Sequence, residues 1–139
     1  MDRSRYVDVN IFVYWLGNHP KFGETACQWI KKIENSPCGK HVISSLTIYE
    51  TLVIIAGLTG KNLKDKNFVA QVVNAITHIK GLTIEPLEPE DLAKAVDLVN
   101  DCNLDYEDSI HLAVATRTGA QEIISNGKDF DGTPIKRTL

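Results

Sequence analysis

Short strand-forming segments alternate with longer helical segments along this chain, and the alternation limits its possible folds more than any other feature. The strand-like segments are rich in valine, isoleucine and tyrosine, whereas the helical segments place apolar residues at a period near 3.6. Such alternation is typical of an α/β sandwich around a mostly parallel sheet. Right-handed crossovers then place the strand ends on a common edge of the sheet.

The boundaries of the elements follow from turn residues and helix caps. We predict strands at residues 3–8, 41–44, 82–85, 122–124 and 135–137. We predict helices at residues 22–33, 47–59, 64–80, 89–99 and 105–118, and residues 10–16 are ambiguous because they are apolar without a clean period. Thr47 and Glu50 fit a capping box for the second helix. The predicted buried stripe of the fourth helix is Leu92, Ala95, Val96 and Val99.

Composition is that of an ordinary globule. The chain has 139 residues, of which 43% are apolar and 24% charged, so we expect a single domain over residues 1–139. No apolar run reaches the roughly 20 residues that span a bilayer, and the N-terminus does not look like a signal peptide. Three cysteines without a CxxC spacing favour a reducing, cytoplasmic location. The net charge of −3 argues against a broad nonspecific nucleic-acid binder but not against an enzyme that acts on nucleic acid.

Four acids stand where the common edge of the sheet is expected. Asp8 ends the first strand, Glu50 lies in the first turn of the helix after the second strand, Asp108 lies in the first turn of the helix before the fourth strand, and Asp129 follows the fourth strand. In an open parallel sheet, ligands bind outside the carboxyl ends of the strands. Asp105 and Asn10 flank this predicted cluster.

Each acid also has a purely structural explanation. Asp8 could cap the segment that follows it, and Glu50 could complete the capping box. Asp108 could complement the dipole of its helix, which is worth ~0.3–1 kcal/mol, and Asp129 could be a turn residue. Convergence favours function, because two like charges 4 Å apart repel by roughly 4 kcal/mol at an effective dielectric near 20. Oxygen ligands without histidine or cysteine select hard cations such as Mg²⁺ or Mn²⁺.

The chain resembles the PIN domain family, the nuclease fold shared with VapC-type toxins. The resemblance covers nearly the whole chain and lies in the segments 6–12 (YVDVNIF), 44–50 (SSLTIYE), 105–115 (DYEDSIHLAVA) and 125–130 (SNGKDF). It implies a five-stranded parallel sheet in a three-layer α/β/α sandwich, Mg²⁺- or Mn²⁺-dependent ribonuclease activity, frequent homodimers and, for toxins, a small antitoxin partner.

The resemblance also assigns residues. The acids that match the family's catalytic and metal-binding quartet are Asp8, Glu50, Asp108 and Asp129. Asp105 is a candidate extra ligand, and Asn10 matches a polar position that supports the site. Some members have a further acid near Asn126, which here is a neutral amide, and this leaves the number of metal ions open. His111 is interpreted as a core or network histidine rather than a general base.

Other functions remain to be weighed against an RNA-cleaving toxin. Lys61, Lys64, Arg117 and Lys128 are candidate contacts to the RNA backbone. The alternatives are a PIN nuclease of RNA processing and a non-catalytic PIN-like module that binds RNA or protein. A haloacid dehalogenase-type phosphotransferase would need a second aspartate where Asn10 stands, and a receiver domain would need an acidic pair before its first helix.

Overall fold

A five-stranded, all-parallel sheet forms the centre of the molecule, and its strands are ordered β3-β2-β1-β4-β5. The computed structural model describes residues 4–139. The strands are β1 (Arg5–Val7), β2 (His41–Ser44), β3 (Leu82–Glu85), β4 (Glu122–Ile124) and β5 (Lys136–Thr138). The helices are α1 (Val9–Leu16), α2 (Gly23–Glu34), α3 (Ser45–Thr59), α4 (Lys66–Thr77), α5 (Pro89–Asp101) and α6 (Tyr106–Arg117).

Alternate strand residues face opposite layers of helices. Tyr6, Val42 and Ile123 pack into one apolar cluster with residues of α6 such as Leu112 and Val114. The next residue of each strand packs into a second cluster with α1, α2, α3 and α4; these residues are Val7, Ile43 and Ile124. Because both faces are covered, the three central strands β1, β2 and β4 each carry consecutive apolar residues instead of an alternation, as parallel strands usually do. The predicted three-layer α/β/α sandwich with a parallel sheet is confirmed.

The strand order reverses at β1, which creates a crevice at the carboxyl ends of β1 and β4. The chain moves from β1 to β2 and β3 on one side, and later adds β4 and β5 on the other side. Such a switch point is where open α/β sheets bind ligands. Residues that follow β1 and β4 therefore share one crevice.

Most element predictions are confirmed to within a few residues. The ambiguous segment 10–16 lies in α1, and the predicted helix 64–80 is shorter because Asp65 caps it through the amides of Asn67 and Phe68. The last strand lies one residue later than predicted, and residue 3 of the predicted first strand lies outside the described residues. Among residues 4–139, every helix is too short or too polar to traverse a lipid bilayer.

The predicted capping box of Thr47 and Glu50 is wrong. The cap of α3 is Ser44, whose hydroxyl accepts a hydrogen bond from the Leu46 amide at 3.1 Å. Thr47 is buried inside the helix, and Glu50 lies in its second turn rather than its first. The helix begins earlier than predicted because it starts directly at the end of β2.

Removing this cap tests the corrected boundary of α3. We expect Ser44→Ala to lower the free energy of unfolding by about 1 kcal/mol, because the Leu46 amide loses its acceptor. Urea unfolding followed by circular dichroism measures the loss. The control is Ser36→Ala, which removes a hydroxyl bound to a carbonyl at the end of α2 and should change stability by less than about 0.5 kcal/mol. Equal stability of Ser44→Ala and the parent chain would contradict the assignment.

The predicted buried stripe of α5 is also displaced. Ala95 is buried as predicted, but Leu92 and Val96 are 38% and 60% exposed, and Asp91 is buried instead. Asp91 faces inward because its carboxylate pairs with the Arg117 guanidinium of α6 at 2.9 Å. Because the buried face of α5 contains a charged residue, a hydrophobicity pattern assigns the wrong residues of this helix to the core.

Candidate active site

Asp8 lies at the switch point and is held there by two hydrogen bonds. Its side chain is 6% exposed, and it caps α1 by accepting from the Val9 amide at 2.8 Å. The Ser125 hydroxyl, directly after β4, donates to the other carboxylate oxygen at 2.7 Å. Burial raises the pKa of Asp8 above its ordinary value, and the Ser125 hydrogen bond opposes the rise. A buried, oriented carboxylate of this kind is costly for the fold unless a positive partner binds it.

Asp108 is the second acid of this edge and the most strongly perturbed of the partly buried ones. It lies in the first turn of α6, and its amide donates to Asp105, the cap of that helix, at 2.8 Å. Its pKa is raised to about 7, first by burial and then by the negative charges of Asp105 and Asp8, while Asp129 adds a smaller effect. The negative charges of these acids therefore act on one another electrostatically.

Asp129 lies in a short 3-10 turn, Lys128–Gly132, that follows β4. Its side chain is exposed, and its charge reaches Asp108. Asp131 of the same turn pairs instead with Arg137 at 2.7 Å. Of the two acids in this turn, only Asp129 contributes to the field at Asp108.

Glu50 reaches the edge from α3 and is bound to a buried histidine. His111 of α6 donates through Nε2 to the Glu50 carboxylate, and its Nδ1 is hydrogen-bonded to the Tyr6 hydroxyl at 2.5 Å. This ion pair lowers the pKa of Glu50 and raises the pKa of His111, against the effect of burial on each. The neighbouring Glu107 has a raised pKa because it lies beside Glu50. The charge of Glu50 also acts on Asp8, so it belongs to the same edge.

The structure thus brings the four predicted acids to one edge without closing them into a coordination shell. Among residues 4–139, no three histidine, cysteine, aspartate or glutamate side chains are arranged as a metal-binding group. The donor chemistry nevertheless fits a hard divalent cation, because burial and then the neighbouring acids raise the pKa of Asp108 to about 7, and a bound cation would stabilise its ionised form. The side chains would need to rotate inward to coordinate such an ion.

The supporting polar residues divide into expected and unexpected ones. Asn10, expected at the site, points its amide toward the Ser125 hydroxyl at 3.4 Å. His111 is a network histidine, as predicted. The partners Ser125 and Tyr6 are not predicted from the sequence, since their contacts join residues more than 100 positions apart. Only the position of Ser125 at the end of a strand gives a local signal.

The candidate RNA-binding cations are not equally placed. Arg117 is remote from the acidic edge, because it lies at the opposite end of α6 from Asp108, roughly 14 Å along the helix. Its guanidinium is bound instead to Asp91 and to the Pro86 carbonyl. Lys128 is exposed beside Asp129 and remains a candidate. Lys61 and Lys64 are exposed in the connection between α3 and α4.

Comparison with known proteins gives a family match and several similar folds. The family model described as "PIN domain" matches residues 5–136. No curated protein matches the sequence significantly. Mycobacterium tuberculosis VapC20, a sarcin-ricin loop cleaving toxin, superposes with a TM-score of 0.75 at 14% identity, over 95% of this chain and 96% of that one.

Two complexes contain further similar chains. A toxin-antitoxin complex from Klebsiella pneumoniae gives a TM-score of 0.71 at 22% identity, over 98% of this chain and 97% of that one. VapBC2 from Rickettsia felis, bound to a DNA fragment from its promoter, gives 0.69 at 15% identity, over 96% of both chains. At these identities, the likeness to solved structures is a likeness of fold.

Proposed function

Because the chain belongs to the PIN domain family, we propose that it is an endoribonuclease that hydrolyses RNA phosphodiester bonds with the help of a bound Mg²⁺ or Mn²⁺. The observation that carries this proposal is the group of acids at the β1 and β4 ends, where burial and then the charges of Asp105 and Asp8 raise the pKa of Asp108 to about 7. A fold that keeps such a costly arrangement has a use for it.

The four acids would bind the divalent cation in different ways. Asp8, Asp108 and Asp129 would hold the cation directly, and Glu50 would hold it directly or through water. When bound, a divalent cation lowers the pKa of a coordinated water and offsets charge that develops on the phosphate. The contribution of the chain itself is orientation: the Val9 amide and the Ser125 hydroxyl fix the Asp8 carboxylate before any substrate arrives.

The amino termini of α1 and α6 reinforce the same edge. Both helices begin at an acid of the cluster, because Asp8 caps α1 through the Val9 amide and Asp105 caps α6 through the Asp108 amide. Helix amino termini favour negative groups by roughly 0.3–1 kcal/mol each, so they partly offset the repulsion among the carboxylates. They also favour an incoming phosphate.

The biological role that we propose is that of the toxin in a VapBC-type pair. Proteins of similar fold include VapC20 and chains of toxin-antitoxin complexes, which supports a small antitoxin partner. A cytoplasmic single-domain protein that forms homodimers is part of the same proposal. An adjacent small reading frame, sedimentation of the purified chain, and growth arrest relieved by co-expression of that frame test these parts.

A labelled RNA panel tests the proposed activity. The purified chain is incubated with structured and unstructured RNAs in Mn²⁺, in Mg²⁺ and in EDTA, and the products are separated on a denaturing gel. We expect endonucleolytic fragments with either ion and none in EDTA, because the proposed reaction needs the cation to lower the pKa of the attacking water and to offset charge on the phosphate. Cleavage that continues in EDTA would overturn the metal-dependent mechanism, and RNA binding without cleavage would favour the non-catalytic module.

A further inference from the structure

His111 joins three elements that form the candidate site. Its side chain is 1% exposed, and both ring nitrogens are engaged, one by Glu50 of α3 and the other by Tyr6 of β1. The Tyr6 and His111 rings also contact each other, with centroids 5.6 Å apart. Tyr6 itself is 1% exposed and stands two residues before Asp8. The histidine therefore ties Glu50 to the strand that ends in Asp8.

Glu50 needs such a partner because its own element does not fix it. It lies in the second turn of α3, partly exposed, and the exposed Glu107 lies beside it. An unrestrained glutamate loses up to about 2 kcal/mol of side-chain entropy when one geometry is imposed on it.

We propose that His111 is a positioning residue that holds the Glu50 carboxylate at the acidic edge and thereby strengthens binding of the divalent cation. This inference rests on the proposed function, in which Glu50 contributes to the cation site. His111 acts through Glu50 and touches neither the cation nor the RNA. Groups that orient metal-binding side chains typically alter metal affinity 10- to 100-fold when they are replaced.

A merely structural histidine would behave differently. The contacts among Tyr6, His111 and Glu50 could serve only to satisfy the hydrogen-bonding groups of buried side chains. In that case, replacing His111 would lower thermal stability and leave cation affinity unchanged. The effect of the replacement would also not depend on whether Glu50 is present. Cation affinity measured in a double-mutant cycle therefore separates the two roles.

The experiment measures free Mn²⁺ by electron paramagnetic resonance during titration of the RNA-free protein. We expect His111→Leu to weaken Mn²⁺ binding by about tenfold, and His111→Gln to recover part of the loss because an amide can still donate to Glu50. In a Glu50→Ala background, His111→Leu should have no further effect. His78→Leu, at an exposed histidine after α4, is the matched control and should leave affinity unchanged.

The outcomes are separable. Unchanged affinity in His111→Leu, or an equal loss with and without Glu50, overturns the positioning role while the proposed nuclease stands. Absence of Mn²⁺ binding by the parent chain overturns the cation site itself and the inference with it. Should His111→Leu fail to fold, His111→Gln and Tyr6→Phe complete the same cycle, and additivity of either with Glu50→Ala overturns the proposal.

Discussion

Replacing Asp8 by asparagine is expected to slow RNA cleavage by about 100- to 1,000-fold, which corresponds to about 3–4 kcal/mol of transition-state stabilisation. The side chain keeps its size and one acceptor oxygen, but it loses the charge that would hold the cation at the end of β1. Initial rates on the best RNA of the panel, at saturating Mn²⁺, measure the effect. The control is Asp97→Asn, which makes the same change at an exposed position of α5 and should retain the parent rate.

Stability distinguishes a lost charge from a lost fold in the Asp8 variant. Because burial raises the pKa of Asp8, its ionised form destabilises the metal-free protein near neutral pH. Asp8→Asn should therefore unfold at the same or a higher urea concentration than the parent chain at pH 7.5 in EDTA. Cleavage at the parent rate by this folded variant would remove Asp8 from the proposed mechanism.

The second large effect is a pH-dependent contribution of Asp108 to the free energy of unfolding, which Asp108→Asn should remove. The pKa of Asp108 rises from 3.8 to about 7 on folding, so between these values the folded chain keeps a proton that the unfolded chain has released. The contribution of Asp108 to stability therefore falls as pH rises from about 4 to about 7, and is constant above that. The full shift corresponds to about 4 kcal/mol, which screening at a partly exposed site reduces to about 2 kcal/mol.

Urea unfolding in EDTA at several pH values between 4 and 8 measures this contribution. The stability of the parent chain minus that of Asp108→Asn should fall by about 2 kcal/mol across the range, because asparagine does not ionise. Adding Mn²⁺ at pH 8 should stabilise the parent chain more than the variant, since the ion binds the folded carboxylates. A difference that stays constant with pH would show that burial and the neighbouring acids do not raise the pKa of Asp108.

Local patterns predict the sandwich and the acids at the ends of its elements. Asp8 directly follows a strand, and Asp108 lies in the first turn after the cap residue Asp105, so neighbouring residues indicate where both stand. That these ends converge follows from general rules for parallel sheets. The central place of β1 in the sheet does not follow from these rules, because strand order depends on pairing between segments far apart in sequence.

The errors have the same origin. Ser44 and Thr47 are both good cap residues, and only the end of β2 decides between them. Leu92 and Val96 look like core residues because the pattern contains no sign that Arg117 draws Asp91 inward. The hydrogen bonds from hydroxyl groups to Asp8 and His111 likewise join distant segments, so no single segment of the sequence indicates them.

The hydrogen bond between Asp8 and Ser125 has a consequence for synthesis. It spans 117 positions, so a growing chain carries Asp8 long before β4, which pairs with β1, has been synthesised. Domains fold as units once their segments have left the ribosome. A chain with this topology therefore lacks the Ser125 hydroxyl that orients Asp8 until the residues that follow β4 have emerged.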